Sequence, residues 1–314
     1  MFIRQDGPCL RVLAPAKLNL FLEVLGKRPD GYHEIETLMV AVSFFDRLTF
    51  SPREDTEIRL TIDGPWGPSG NPSAEDQGRL PSDVRDNLVY RAIRLLQDRS
   101  GSARSSRARG IDIHLHTCIP PASGLGGGSS NAAATLLAAN LVWELGYSQS
   151  ELAEIAAELG SDISFFLTPR TGRSAIAAHC TGRGEVVQPV SIPANMHFVV
   201  IRPEFGLSTP AIYQRCRPAD QPKRAEKLLE ALRQGNLRVA GDLMTNRLQG
   251  PATEVAAEID DVATEFSSLG AVGHQLSGSG SAYFGWFHSA RAAKRGVVAL
   301  RARGWKNAWF AQAV

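Results

Sequence analysis

Alternating apolar and polar positions define the first elements of the chain. Every second residue from 18 to 24 is aliphatic, and Lys17 and Asn19 lie between or beside these positions. This period of two predicts a β-strand with one apolar face, and it places Lys17 and Asn19 together on the other face. The sequence Arg-Pro-Asp-Gly at 28–31 is typical of a tight turn, and a second strand is predicted from about His33 to Val42. The segment is therefore predicted to form a β-hairpin.

Helical periodicity follows in the middle of the chain. An amphipathic helix is predicted from Asn87 to Gln97, and an alanine- and leucine-rich helix from about Asn131 to Leu145. The next helix begins with Ser-Gln-Ser-Glu at 148–151, a capping box in which serine and glutamate side chains satisfy free backbone N–H groups. Gly160 ends that helix, and Asp162 follows shortly after.

The last third of the chain mixes helices and strands, which is typical of a compact α+β unit with helices on one side of a sheet. The predicted order is two helices after Pro222, a helix from Thr253 to Ser268, a strand ending at Ser277, a strand from Ala282 to Phe287, a helix from Ala290 to Arg303 and a last strand from Trp305. Two polar segments, 64–81 and 99–110, are predicted to be mobile surface loops.

A glycine-rich loop runs directly into the alanine-rich helix. The four glycines between 124 and 128 permit positive φ angles and close approach of several N–H groups to a ligand. A helix that begins near Ser129 or Ser130 adds unpaired N–H groups and the positive end of its dipole. We expect an anion site here, with a nucleotide as the leading ligand.

This loop differs from two common phosphate-binding sequences. The pattern Gly-x-x-x-x-Gly-Lys-Ser/Thr does not occur in the chain, and Ser129 takes the place of the third glycine of Gly-x-Gly-x-x-Gly. For the loop taken by itself, a purely structural turn is the alternative, since glycine also closes helices and tight bends.

Composition and charge exclude several classes of protein. The 314 residues, of which 43% are hydrophobic and 21% charged, are enough for two domains. A net charge of +2 gives no general attraction to nucleic acid or to anionic membranes. No apolar run approaches the roughly 20 residues of a membrane span, and residues 1–7 lack the features of a secretion signal, so a cytoplasmic location is expected.

Cysteine and histidine positions form no metal-binding motif. The four cysteines, at 9, 118, 180 and 216, are far apart in sequence and are predicted to be free thiols. His114 and His116 alternate on a predicted strand and would share one face. Because no third ligand stands near them, two solvated polar residues are favoured over a metal site.

Three separated motifs together resemble the signatures of the GHMP small-molecule kinases: Pro-Ala-Lys-Leu-Asn-Leu at 15–20, the glycine loop at 120–134, and Leu-Ser-Gly-Ser-Gly-Ser-Ala at 276–282. Within that superfamily, the chain is similar to the branch that phosphorylates 4-diphosphocytidyl-2-C-methyl-D-erythritol, a cytidine diphosphate sugar alcohol. The segments that carry this narrower resemblance are 17–22, 28–33, 37–38, 86–92 and 206–210.

The resemblance implies a fold class and an activity. It implies a two-domain α+β GHMP kinase fold, with an ATP-binding domain at 1–167 and a ferredoxin-like α/β sandwich domain, which binds substrate, at 168–314. It also implies ATP-dependent phosphorylation of the 2-hydroxyl of that sugar alcohol in the non-mevalonate route to isoprenoid precursors, with Mg²⁺ as cofactor. The expected partner is thus a small molecule, not nucleic acid or membrane, and the protein is expected to be a monomer or a homodimer.

The catalytic positions that the resemblance implies are Lys17 and Asp162. Phosphoryl transfer needs mainly positioning and neutralisation of spread negative charge, so two side chains are expected to dominate. Asp162 would accept or orient the proton of the attacking hydroxyl, although on sequence alone it is equally suited to cap a short helix. Lys17 would keep that carboxylate charged and offset charge on the transferring group, whereas a lysine on a strand face is ordinarily only solvated.

Binding residues are implied in the same way. ATP would be held by Pro120, Pro121, Ala122, Ser123, Gly124, Leu125, Gly126, Gly127, Gly128, Ser129 and Ser130, with a serine hydroxyl of this loop near Mg²⁺. A second phosphate loop would consist of Ser277, Gly278, Ser279 and Gly280. The other substrate would contact Asn19, Tyr32, His33 and Thr209, with Tyr32 stacked on cytosine and His33 at its polar edge. A half-buried tyrosine and a surface histidine are the alternative for Tyr32 and His33.

Two other functions stay open at this point. A different GHMP kinase, acting on mevalonate, homoserine or a sugar, would keep the glycine loops but would not need Pro-Asp-Gly-Tyr-His at 29–33. A nonenzymatic nucleotide sensor on the same fold would bind ATP without transferring a phosphoryl group. The presence of both Lys17 and Asp162 argues against a sensor.

Overall fold

The computed structural model describes residues 1–68, 83–100, 110–170 and 172–314. Most of the two predicted surface loops, 64–81 and 99–110, lies outside the described residues. The strands are β1 (Phe2–Asp6), β2 (Cys9–Lys27), β3 (His33–Pro52), β4 (Ile58–Asp63), β5 (Ile111–His116), β6 (Ala177–Thr181), β7 (Val186–Pro189), β8 (His197–Ile201), β9 (Thr245–Asn246), β10 (Gly273–Leu276), β11 (Tyr283–Phe287) and β12 (Ala308–Gln312).

The helices begin with a short 3-10 turn at Val84–Asp86 and continue through both halves of the chain. They are α1 (Leu88–Arg99), α2 (Gly127–Val142), α3 (Gln149–Leu159), α4 (Ile163–Phe166), α5 (Thr209–Arg215), α6 (Glu226–Arg233), α7 (Leu237–Leu243), α8 (Gln249–Val255), α9 (Glu258–Ser268) and α10 (Ala290–Ala302). None of them, within the described ranges, is long and apolar enough to cross a membrane.

The first sheet is built around the long antiparallel pair β2 and β3. Among the described strands its order is β1-β2-β3-β5-β4, while β6 and β7 extend from β3, and β9 pairs in parallel with β2. The predicted hairpin is confirmed, but both strands are longer than expected, because β2 starts at Cys9 and β3 continues to Pro52. Irregularities in the register beside Ala16, Phe21 and Gly26 let this long pair twist.

Both faces of this hairpin are buried, whereas the alternation predicted one apolar face. Residues such as Val12 pack on α1 to α4 in one hydrophobic core. On the other side Leu18 packs against the second sheet, near Phe198. Lys17 and Asn19 therefore lie in the interior, where they are 3% and 2% exposed.

The predicted helices of the first half form with shifted ends. The Asn87 side chain accepts a hydrogen bond from Val89 N–H at 2.9 Å, so α1 starts after Asn87. Helix α2 starts at Gly127, earlier than the predicted start at Asn131, and it ends at Val142. The capping box at 148–151 is confirmed, and α3 ends before Gly160.

The second sheet has the order β10-β11-β8-β12 and is antiparallel at every pairing of the described strands. The prediction of one helix from 253 to 268 is wrong. The chain forms α8 and α9 instead, with an extended backbone at Ala256 (φ −141°) between them. This break allows Ala252 and Ile259 to pack into the same hydrophobic core.

Strands β6 and β7 follow residue 167 in the chain but belong to the first sheet, where β6 pairs with β3 and β7 pairs with β6. The first sheet thus takes strands from both sides of the predicted boundary between residues 167 and 168. That boundary stays a prediction.

Candidate active site

A cavity of about 840 Å³ lies between the first sheet, the glycine loop and the second half of the chain. Its wall collects most of the predicted site residues: Lys17, Asn19, Tyr32, His33, Pro120, Pro121, Ala122, Ser123, Gly124, Gly126, Gly127, Gly128, Ser129, Asp162, Thr209, Gly278 and Ser279. Four other predicted residues do not line it: Leu125, Ser130, Ser277 and Gly280.

Lys17 and Asp162, which are distant in sequence, meet in this cavity. Lys17 Nζ lies 3.3 Å from Asp162 Oδ2, and the side chains are 4% and 34% exposed. Lys17 Nζ also donates a hydrogen bond to Asn19 Oδ1 at 2.6 Å. The buried ammonium is thus paired with two oxygens, as a buried charge requires, while the carboxylate keeps part of its surface open to the cavity.

Asp162 does not act as a helix cap. It occupies the N-cap position of α4, but its side chain makes no capping hydrogen bond. Its backbone is helical (φ −77°, ψ −10°), whereas a capping residue typically has an extended backbone. The capping interpretation of Asp162 is therefore wrong, and the carboxylate faces Lys17.

A chain of hydrogen bonds fixes the amide of Asn19. Thr37 Oγ1 donates to the carbonyl of Phe21 at 2.6 Å, and Asn19 Nδ2 donates to Thr37 Oγ1 at 2.8 Å. Because the threonine proton is used on Phe21, the hydroxyl accepts from the amide nitrogen, and the amide oxygen is turned to Lys17. Thr37 was not predicted as a site residue. Its contact with Asn19 depends on the strand register, in which Asn19 pairs with Met39 and Thr37 with Leu22.

The glycine loop ends in the first turn of α2. Gly126 is the N-cap with a left-handed backbone (φ 72°), and Gly127 and Gly128 already belong to the helix. The N–H groups of this first turn have no carbonyl partner inside the helix, and the helix dipole adds positive potential at the cavity wall. Gly127, Gly128 and Ser129, which carry these N–H groups, line the cavity, and anion binding there stays a prediction.

Leu125 and Ser130 support this loop from behind. The Leu125 side chain is fully buried, and its carbonyl accepts a hydrogen bond from Lys17 N–H at 2.9 Å. Ser130 N–H donates to the Gly126 carbonyl at 2.8 Å, and its buried hydroxyl has no partner among the described residues. Ser129 is the serine of the helix start that faces the cavity. Contact of Leu125 and Ser130 with ATP stays a prediction.

Asp46 links the two ends of the glycine loop through hydrogen bonds. It accepts hydrogen bonds from the N–H groups of Cys118 at 2.6 Å and Ile119 at 2.7 Å, and from Asn131 Nδ2 at 2.7 Å. Burial raises the pKa of Asp46, and these three donors oppose that rise. Asp46 was not predicted, although a carboxylate that follows the apolar run of β3 is a signal that it has partners.

The loop between β10 and β11 packs directly on the glycine loop. Ser277 Oγ donates to the carbonyl of Gly124 at 3.1 Å. Asn246 Nδ2 donates to the carbonyls of Leu276 and Gly278, both at 2.8 Å. Ser277 therefore holds the two loops together, and Gly278 reaches the cavity.

Comparison with known proteins identifies the family. Models of the GHMP kinase N-terminal and C-terminal domains match residues 87–169 and 228–306. A 4-diphosphocytidyl-2-C-methyl-D-erythritol kinase from Pelotomaculum thermopropionicum is 36% identical over 94% of this chain and 94% of its own. The kinase of the same name from Thermobifida fusca is 38% identical over 93% of this chain and 92% of its own. The chain belongs to the 4-diphosphocytidyl-2-C-methyl-D-erythritol kinase family.

Solved structures agree with this family. A crystal structure of a 4-(cytidine 5'-diphospho)-2C-methyl-D-erythritol kinase has a TM-score of 0.77 and 34% identity, and the match covers 97% of this chain and 99% of that one. A homoserine kinase from Cytophaga hutchinsonii, at 20% identity and a TM-score of 0.71, covers 100% of this chain and 97% of its own and shares the fold. The predicted two-domain GHMP kinase fold is confirmed.

In this member of the 4-diphosphocytidyl-2-C-methyl-D-erythritol kinase family, the turn after β2 forms an aromatic rim of the cavity. Tyr32 is 54% exposed, with the Arg183 guanidinium 4.8 Å from its ring centre. The ring centres of His33 and Tyr213 are 5.1 Å apart. Burial, with a contribution from Lys27, lowers the pKa of His33 and favours neutral imidazole. Arg183 and Tyr213 were not predicted, because isolated residues of these types give no signal in sequence.

Thr209 joins this rim to the loop between β10 and β11, the predicted second phosphate loop. Its Oγ1 lies 2.7 Å from Ser279 Oγ, and both residues line the cavity. Thr209 starts α5, the helix that also carries Tyr213. A ligand that contacts the rim is therefore within reach of this loop.

The two histidines of β5 lie against a carboxylate on the surface. His114 Nε2 and His116 Nδ1 are 3.1 Å and 2.7 Å from Asp63 oxygens, and the two histidine side chains are 50% and 35% exposed. In the described ranges no three His, Cys, Asp or Glu side chains form a group that could hold a metal ion. The prediction of free cysteines is confirmed. Both histidines are partly exposed, and the choice of solvated residues over a metal site stays a prediction.

We expect two glycine substitutions to separate the structural role of the loop from ligand contact. A Cβ at Gly124 would overlap the carbonyl oxygen of Ser277, at a φ of +75°, so Gly124→Ala is expected to lower both the melting temperature and turnover. A Cβ at Gly128 would meet Leu88 at 3.5 Å, an ordinary contact. Gly128→Ala is therefore expected to keep the melting temperature while the KM for ATP rises about tenfold, since its methyl group lies where phosphates approach.

Thermal unfolding and steady-state kinetics measure both variants. An unchanged KM for ATP in Gly128→Ala would contradict phosphate binding at the first turn of α2.

Proposed function

We propose that this protein transfers the γ-phosphoryl group of ATP to the 2-hydroxyl of 4-diphosphocytidyl-2-C-methyl-D-erythritol, with Asp162 and Lys17 as the catalytic residues. The observation that carries the proposal is the pair of Lys17 Nζ and Asp162 Oδ2, 3.3 Å apart in the cavity that also contains the free N–H groups of α2. Family membership supplies the reaction and its substrate.

Asp162 acts as the base for the acceptor hydroxyl. Its carboxylate is 34% exposed, so one side can meet an incoming hydroxyl while the other stays on Lys17. A base must lie within about 2.6–3.2 Å of the proton donor, and a partly open carboxylate on the cavity wall permits this. Asp162 therefore takes up or orients the proton as the oxygen attacks phosphorus.

Lys17 offsets negative charge at the reacting centre. Its ammonium is 4% exposed, and a Cβ at Gly278 would lie 3.3 Å from Nζ. The ammonium thus lies between Asp162 and the second phosphate loop. In such a water-poor position, a fixed positive charge stabilises developing negative charge more than it would in water.

The glycine loop binds the triphosphate through its backbone. The free N–H groups at the start of α2 face the cavity on one side, and the loop at Gly278 and Ser279 lies on the other. Ser277 and Asp46 hold both loops in place, so the donors are preorganised before ATP enters.

The oxygen donors of the cavity wall fit magnesium. Ser129 and Asp162 offer a hydroxyl and a carboxylate in the same cavity. Mg²⁺ prefers oxygen ligands and takes its remaining positions from water and nucleotide phosphates, so a full protein cage is not needed. Of these two, Ser129 would hold the ion with ATP, because the Asp162 carboxylate is engaged by Lys17 and the acceptor hydroxyl. The bound ion would supply neutralisation of phosphate charge.

The aromatic rim binds the cytidine end of the acceptor. Tyr32 offers an exposed face for stacking, and Tyr213 lies beside His33 with its ring 5.1 Å away. The neutral His33 ring has one donor and one acceptor, which suits the polar edge of a base. Asn19 and Thr209 are polar cavity residues available to the sugar alcohol between the rim and the catalytic pair.

ADP release by the purified full-length protein tests the proposed function. We expect release with ATP, Mg²⁺ and 4-diphosphocytidyl-2-C-methyl-D-erythritol, together with a new phosphate monoester signal in ³¹P NMR. Mevalonate and homoserine, each at the same concentration, are the matched controls and are expected to give no release. Release with either control acceptor would place the protein with another GHMP kinase activity. ATP binding without transfer to any acceptor would identify a nucleotide sensor.

A further inference from the structure

Arg183 lies in the turn between β6 and β7 and lines the active-site cavity. The glycines on either side of it have φ angles of +73° and +113°, conformations that L side chains rarely adopt. A Cβ at Gly184 would lie 3.7 Å from Asp162 Oδ1. The two glycines therefore fix the conformation of this turn, and the turn places Arg183 near the catalytic pair.

The Arg183 side chain is held at its base but not at its tip. The backbone N–H of Arg183 donates to Glu185 Oε2 at 2.5 Å, and the side-chain Nε lies 3.5 Å from Glu185 Oε1. The guanidinium carbon is 4.8 Å from the Tyr32 ring centre, within the range of a cation–π contact. In the part of the chain that the structure describes, no hydrogen bond engages the two terminal nitrogens. Those nitrogens keep their N–H donors available to a ligand.

The charges of the cavity suit two separate phosphate groups. The described residues of its wall include the cations Lys17, Lys27 and Arg183 and the carboxylate Asp162. Lys17 is already paired with Asp162. The glycine loop serves the triphosphate of ATP through backbone N–H groups. Arg183 lies instead on Tyr32, at the rim that receives the base of the acceptor.

We propose that Arg183 binds the diphosphate of the cytidine diphosphate acceptor and thereby selects a nucleoside diphosphate over an uncharged nucleoside. The proposal rests on the proposed function, which supplies the acceptor. A planar guanidinium binds phosphate oxygens through two parallel N–H bonds, which a point charge such as lysine cannot reproduce. Stacking on Tyr32 fixes the plane of the guanidinium, so base and diphosphate are recognised together.

Arg183→Met tests the proposal, because methionine keeps an apolar stem beside Tyr32 but removes the charge and the donors. The KM for the acceptor is expected to rise about tenfold or more, as for loss of hydrogen bonds to a charged group. The KM for ATP is expected to stay near the wild-type value. Binding of CDP and of cytidine is measured by calorimetry, and the wild-type preference for CDP is expected to disappear in the variant.

Two further variants complete the experiment. Arg170→Met removes an exposed guanidinium that is not part of the cavity wall, and it is expected to keep the wild-type KM values and the preference for CDP. Arg183→Lys keeps the charge but not the planar fork, and we expect its KM for the acceptor to lie between those of wild type and Arg183→Met.

Equal weakening of CDP and cytidine in Arg183→Met would overturn the proposal, because Arg183 would then act on the base through Tyr32. An unchanged preference for CDP would overturn it as well. Failure of the proposed function would look different, because the wild-type protein itself would then release no ADP with the acceptor. The binding comparison needs no turnover and distinguishes the two failures.

Discussion

Asp162→Asn is expected to lower kcat by about 10²- to 10⁴-fold, which is the usual contribution of a positioned general base. Asparagine has nearly the same shape and still offers an oxygen to Lys17 Nζ, which lies 3.3 Å from the carboxylate. The amide cannot take the proton of the acceptor hydroxyl. The chemical step therefore loses its base while the cavity keeps its form, and ADP release at saturating substrates measures the loss.

The free energy of unfolding of Asp162→Asn is expected to stay within about 1 kcal/mol of wild type, because the ion pair with Lys17 is partly exposed and the asparagine oxygen still accepts from Nζ. Its side chain is partly exposed and makes no capping hydrogen bond to α4. Ser148→Ala is the matched control, since Ser148 does cap α3. That variant is expected to lose about 1 kcal/mol of stability and to keep its kcat. Near-normal turnover in Asp162→Asn would remove this carboxylate from proton transfer.

Lys17→Met is expected to lower kcat by about 10²- to 10³-fold, the scale for loss of one preorganised group that stabilises charge. Methionine fills the space of the aliphatic stem but brings no ammonium. Its stability is expected to fall by about 1–3 kcal/mol, because Asn19 Oδ1 loses the donor at 2.6 Å. The Asp162 carboxylate, which also loses its partner, adds little to this loss of stability, because its exposed side stays hydrated. Steady-state kinetics and denaturant unfolding measure the two effects.

Lys17→Arg separates charge from geometry at the same position. A Cβ at Gly126 would lie 3.0 Å from Lys17 Cγ, and a Cβ at Gly278 would lie 3.3 Å from Nζ. Both loops therefore surround the side chain closely, and the wider guanidinium does not fit. We expect Lys17→Arg to lose turnover although it keeps the charge. Full activity of Lys17→Arg would show that charge alone suffices there.

The two catalytic substitutions are expected not to add. Because Lys17 and Asp162 act on one reacting centre, removal of either already disables the unit, and the double variant is expected to be about as slow as the slower single variant. Multiplication of the two losses would instead indicate independent roles.

Much of the site could be predicted from local sequence patterns. The period of two in β2 placed Lys17 and Asn19 on one face, where they now share a hydrogen bond. The glycines indicated an anion site at a helix start. The meeting of Lys17 with Asp162 rested on the resemblance to GHMP kinases, since no local pattern links two such distant positions.

Other features depend on tertiary contacts that a single sequence does not encode locally. Helix α2 includes Gly127, although glycine disfavours helices. Glycine is needed at this position because a Cβ would come 2.9 Å from Ile119. Asp46 contacts the glycine loop through donors far away in sequence. Arg183 reaches Tyr32 because β6 pairs with β3, and that pairing was not predicted.

A crystal structure with 4-diphosphocytidyl-2-C-methyl-D-erythritol and a non-hydrolysable ATP analogue tests the central claim most directly. The 2-hydroxyl oxygen is expected within about 3.2 Å of the Asp162 carboxylate. Lys17 Nζ is expected to contact a γ-phosphate oxygen, with the triphosphate on the first turn of α2. A complex with the γ-phosphate away from Lys17, or with another group of the acceptor against Asp162, would contradict the account.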